Sequence, residues 1–174
     1  MADPTVDEVD AFINSYKTLD GYMPPWTQAY GWDWQTQWGV LDALGRQQAE
    51  LAFTINAALT RPSISAIYRK KLIYWVDIVP QDEEKPNDFG AMKVGLPPVV
   101  RGPHTHPWPE HREFIQLNGF GELPYRKPVS IKDALFIRAL EVASKDLNIH
   151  VDPSQRRECE PPAQAGFFAD RHGL

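Results

Sequence analysis

The chain has one cysteine, Cys159, in 174 residues, so no intrachain disulfide can form and stability has to come from an apolar core. Glu158 and Glu160 flank that cysteine and oppose a thiolate, with Arg156 and Arg157 only partly offsetting them, so a catalytic thiol is not expected. No apolar run approaches the ~20 residues of a membrane span. Asp3, Asp7, Glu8 and Asp10 occupy the place where a secretory leader would be apolar, which makes the cytoplasm the expected compartment. Excess positive charge is also missing, the formal net charge being -5. The short basic groups Arg69-Lys70-Lys71, Arg126-Lys127 and Arg156-Arg157 read as solvated strand ends or loops, so no nucleic-acid partner is expected. Asn118-Gly119-Phe120-Gly121 lacks the strand-to-helix context of a phosphate loop and reads as a turn. No internal repeat is visible.

What is present is globular: 43% hydrophobic and 24% charged residues, at a length that suits one domain. Thr5 and Glu8 form a candidate capping box, and Val9, Phe12, Ile13 and Tyr16 then share a helical face up to the breakers Gly21 and Pro24-Pro25. Four of the six tryptophans follow, Trp26, Trp32, Trp34 and Trp38. They are read as core in preference to a ligand surface. Asp33 is expected to cap a second helix to Gly45, with Trp34, Trp38, Leu41 and Leu44 inward and Gly39 weakening it.

The period then changes to two. Leu51 to Ala57, Ser63 to Tyr68 and Leu72 to Val79 alternate as strands, joined by short turns such as Arg69-Lys70, which makes an antiparallel meander. Asp77, between Val76 and Ile78, points away from the core and carries no assigned role. Residues 81–93 read as an acidic exposed loop, and Phe114 to Leu117 as a short extended piece. Ser130 is expected to cap a helix whose inward positions are Leu135, Phe136, Ala139, Leu140, Ala143 and Leu147. The expected fold is α+β, a single domain in which an N-terminal and a C-terminal helix pack an antiparallel β-meander. Its parts are a helical, Trp-rich segment 1–45, the meander over 50–118, the helix over 130–147 and a C-terminal arm over 152–174 that ends in Phe167-Phe168.

Residues 102–113 read GPHTHPWPEHRE, where Pro103, Pro107 and Pro109 are expected to forbid a helix and make the whole segment extended. In extended chain, residues i and i+2 face the same way, so His104 and His106 present two imidazoles together. That suits a divalent metal, zinc or iron, with Glu110, His111 and Asp133 as further candidate ligands. The alternative is that the histidines bond backbone in a proline-stiffened loop.

His104-Thr105-His106-Pro107, followed by Ser130-Ile131-Lys132-Asp133 at a helix start, resembles the JAMM (MPN-type) metalloproteases. The resemblance implies zinc held by His104, His106 and Asp133, Ser130 supporting a tetrahedral intermediate, and a glutamate as general base, for which Glu50 is the candidate. It implies hydrolysis of a peptide or isopeptide bond. The order helix, meander, Pro97-Pro98, His106-Pro107, extended piece and helix resembles the ubiquitin-conjugating (UBC/RWD) fold. That family's catalytic cysteine has no counterpart near Ile115 or Gln116, so this resemblance implies a non-catalytic adaptor for a protein partner, ubiquitin-like among them. His104, His106 and Glu110 also match the first metal motif of the cupins.

Overall fold

The computed structural model describes residues 2–28, 33–56, 60–131, 135–159 and 161. Helix α1 (Val6–Asn14) starts at the capping box read from the sequence, with the Thr5 and Glu8 side chains each bonded to the other residue's backbone N–H. It buries Val9, Phe12 and Ile13, with Phe12 stacked on Tyr68 at 4.5 Å. Each such side chain contributes roughly 1.5–3 kcal/mol by leaving water. The helix stops well short of Gly21, because Ser15 is extended and β1 (Lys17–Leu19) follows. Lys17 is fully buried there, its Nζ donating to the carbonyls of Phe12, Ile13 and Ser15 at the end of α1.

After the short β2 (Thr27–Gln28) the chain enters β3 (Trp34–Asp42), where a helix is expected from the sequence. The strand wins because Thr36, Trp38 and Val40 alternate inward and pair along the whole length of β4 (Gln47–Ile55). β5 (Pro62–Tyr68) and β6 (Lys71–Asp77) complete the meander as expected. The turn between them is Arg69 and Lys70, both at positive φ (47° and 67°). The expected loop over 81–93 instead holds β7 (Glu84–Pro86) and α2 (Phe89–Lys93), and β8 (Val99–Arg101) pairs back on β7 as a separate hairpin.

β9 (His104–His106) then pairs antiparallel with β6. Here the structure corrects a second expectation: the extended reading ends at His106, and α3 (Trp108–Asn118) absorbs Phe114 to Leu117. Pro107 is its N-cap and Pro109 lies in its first turn, where no amide donor is needed, so prolines that bar a helix interior start a helix here. β10 (Lys127–Pro128) pairs with β9 on its other side. Helix α4 (Phe136–Asp146) begins at N-cap Leu135, so Ser130 does not cap it. Phe136, Ala139, Leu140 and Ala143 are buried as expected, whereas Leu135 is exposed. β11 (Ile149–His150) and α5 (Pro153–Glu158) follow. Trp32 and the arm's Phe167-Phe168 lie outside the described residues.

The fold is α+β. The main sheet runs β10-β9-β6-β5-β4-β3-β1-β11, antiparallel except where β1 meets β11. One face carries Trp38, Leu51, Phe53, Ile64, Ala66, Tyr74 and Val76 and meets α1 and α4 in the core. Trp26 joins it, 5.0 Å from Phe136. By alternation the other face carries Ser63, Ser65, Trp75, Asp77, His104 and His106. No helix among the described residues is long and apolar enough to cross a membrane.

Candidate functional site

Sheet order places the histidines. β9 is the strand next to β6, and its register sets His106 opposite Trp75 and His104 opposite Asp77. Being two residues apart, both rings project on one face, with centroids 5.4 Å apart. His111 reaches the same place from α3. The result is a column of flat rings: Trp75 on His106 at 4.8 Å, His106 on His111 at 6.2 Å, His111 on Tyr125 at 5.0 Å. All three imidazoles are buried, His104 and His106 at 1% exposure and His111 at 0%.

Hydrogen bonding assigns the tautomers. A carbonyl only accepts, so a ring nitrogen bonded to one carries the proton. His104 Nδ1 donates to the Gly102 carbonyl at 3.0 Å, and His106 Nδ1 to that of Leu123. His111 Nδ1 donates to Pro107 O at 2.7 Å, and its Nε2 accepts the Tyr125 amide at 2.8 Å. His111 is therefore satisfied at both nitrogens and is not available as a ligand. In His104 and His106 the neutral ring keeps its lone pair at Nε2. His106 Nε2 is buried with no hydrogen-bond partner among the described residues. An Nδ1–H pinned to a backbone carbonyl with Nε2 left basic is the arrangement that orients metal-ligating histidines.

Burial pushes all three imidazoles toward the neutral form, His106 down to about 3. Burial likewise raises the Asp77 carboxyl, against the pull of His104. Asp77 is a residue that the sequence reading passes over. Its outward direction was legible, but its place beside His104 depends on the chain skipping β7 and β8 before pairing with β6.

The other candidates among the described residues are not gathered here. Glu50 lies on β4, three strand spacings from β9, or about 14 Å. It is half-buried there, and its carboxylate accepts from Gln47 at 3.3 Å. Glu110, on α3, pairs with Lys127 at 2.7 Å. Ser130 is exposed, two residues beyond Pro128, which pairs with His104. Asp133 lies outside the described residues. Among the described residues no group of three or more His, Cys, Asp or Glu side chains is placed to hold a metal ion.

Compared with family models, curated proteins and solved structures, the chain matches none.

Proposed function

We propose that the chain binds one divalent metal ion, zinc in preference to iron, through the Nε2 atoms of His104 and His106. The observation that supports this most is the buried Nε2 of His106, a basic lone pair with no partner among the described residues. Leaving such a group unsatisfied costs about 1–3 kcal/mol, and a metal ion would turn that cost into a bond. The spacing agrees. With Zn–N near 2.1 Å and a tetrahedral angle, two imidazoles on one ion have ring centres about 5 Å apart, against the 5.4 Å observed. Burial keeps both rings neutral, so protons compete weakly for the lone pairs.

Asp133 is the further ligand that the JAMM resemblance supplies. The pairing of Pro128 with His104 carries the chain that leads to it past the histidines. A catalytic zinc keeps one position open, and rings that are 1% exposed fit a closed site better. Peptide or isopeptide hydrolysis would require this region to open, with a base other than Glu50.

Cobalt(II) tests the reading. Added to metal-free protein, it should give the intense visible absorption of a tetrahedral site, which zinc displaces and His104→Ala abolishes. A spectrum no different from that of aqueous cobalt would overturn it.

A second reading, the non-catalytic adaptor of the UBC resemblance, is favoured by one surface. Phe89, Met92, Val94 and Val99, on and beside α2 and β8, are 40–69% exposed. A cluster of that kind suits a protein partner. Titrating ubiquitin into labelled protein should shift the Phe89 and Met92 signals, and unchanged spectra would remove ubiquitin itself as the partner.

A further inference from the structure

On the opposite face of the sheet from the ring column lies a cavity of about 190 Å³ that neither the metal reading nor the adaptor reading uses. Tyr74 and Trp75 are neighbours on β6, so alternation sends Tyr74 to the far side from the histidines. Four polar side chains from four elements meet there: Tyr74 of β6, Glu110 of α3, Lys127 of β10 and Asp146 at the end of α4. Ile13, Trp108 and Leu147 supply apolar wall.

The polar groups pair incompletely. Tyr74 Oη donates to Asp146 Oδ2 at 3.0 Å, and Lys127 Nζ donates to Glu110 Oε1 at 2.7 Å. Glu110 Oε2 is buried with no partner among the described residues. Glu110 and Asp146 both line the cavity beside Lys127. Burial raises the Asp146 carboxyl, against the Tyr74 hydrogen bond and the charges of Lys127 and Lys145, with Glu110 adding slightly to the rise. What the cavity lacks is a donor for Glu110 Oε2. It offers three acceptor positions: Glu110 Oε2, the Asp146 carboxylate and the Tyr74 phenol oxygen. An ammonium group has three N–H donors in one compact head, and the adjoining apolar wall suits a short alkyl stem.

We propose that this cavity binds a primary alkylammonium group, its head between Glu110 and Asp146 and its stem along Ile13, Trp108 and Leu147. The group comes from a free small amine or from a lysine side chain of another protein. The chemistry is the same for both.

The test is a titration of the intact chain, followed by the methyl NMR signals of Ile13 and Leu147 and by calorimetry. The probes are n-butylammonium, Nα-acetyl-lysine methylamide and choline, a quaternary cation without N–H donors. Saturable methyl shifts with n-butylammonium, and binding at least about tenfold weaker for choline, are expected. Glu110→Gln and Asp146→Asn should each weaken binding by about tenfold or more. Acetyl-lysine methylamide binding as tightly as n-butylammonium assigns the source to a protein lysine. Binding by the free amine alone assigns it to a small amine. No saturable shift in the wild-type chain at millimolar probe, or equal binding by choline, overturns the proposal. The wild-type titration decides this even where a variant fails to fold.

Discussion

Replacing His106 by phenylalanine separates a metal ligand from a packing ring. The substitution keeps a flat ring between Trp75 and His111, at 4.8 Å and 6.2 Å from them. It removes Nδ1–H, which serves the Leu123 carbonyl, and the unpartnered Nε2. Losing the donor leaves a buried acceptor, at about 1–3 kcal/mol, and losing the unpaired nitrogen returns a similar amount. Metal-free His106→Phe should therefore lie within about 2 kcal/mol of the metal-free wild type. With zinc the two should diverge. At a free concentration 100 times the dissociation constant, the wild type gains about 2.7 kcal/mol, whereas the variant gains almost nothing. For a chain of this length that is a rise in Tm of roughly 5–10 °C in the wild type alone. Calorimetry with zinc and with chelator reads it. An equal zinc shift in both proteins, or none in the wild type, would refute the assignment.

Other predictions concern the frame around the site. Burial pulls the Lys17 ammonium from 10.5 to about 8. Above pH 8 the unfolded chain holds the extra proton, so stability should climb by about 2 kcal/mol between pH 8 and about 9.5. Urea unfolding should show that climb in the wild type and not in Lys17→Met. A Cβ on Gly90 would stand 2.1 Å from the Tyr125 hydroxyl, so Gly90→Ala should cost about 1–3 kcal/mol through a displaced Tyr125. Adding Tyr125→Phe should recover part of the lost Tm, and no recovery would mean that the strain lies elsewhere. Asp10 accepts from Trp108 Nε1 at 2.6 Å and Arg112 Nε at 2.7 Å, tying α1 to α3. Asp10→Asn should cost about 1–2 kcal/mol in urea unfolding, most of it absent when Arg112 is already alanine.

Where a residue's environment is local, the sequence announces it. The Thr5–Glu8 box, the alternation of β4 to β6 and the inward face of α4 all depend on neighbours a few positions away. β3 was open to two readings. Trp34, Trp38 and Leu41 fall at helical spacing, while Thr36, Trp38 and Val40 alternate, and only pairing with β4 decides between them. α3 was hidden for the opposite reason, since its prolines bar a helix interior but suit its first turn. The shared face of His104 and His106 was legible from their spacing of two. What surrounds them was not, because Trp75, Asp77, His111 and Tyr125 arrive from three separate segments through sheet order and ring stacking.

The proposed metal site at His104 and His106 rests on occupancy. Its most direct test is the metal content of untagged protein, purified without chelator and measured by inductively coupled plasma mass spectrometry beside the His104→Ala, His106→Ala double variant. Close to one zinc per wild-type chain is expected, lost in the variant. A wild-type chain that carries no metal after incubation with zinc, or a variant that carries as much, would contradict it.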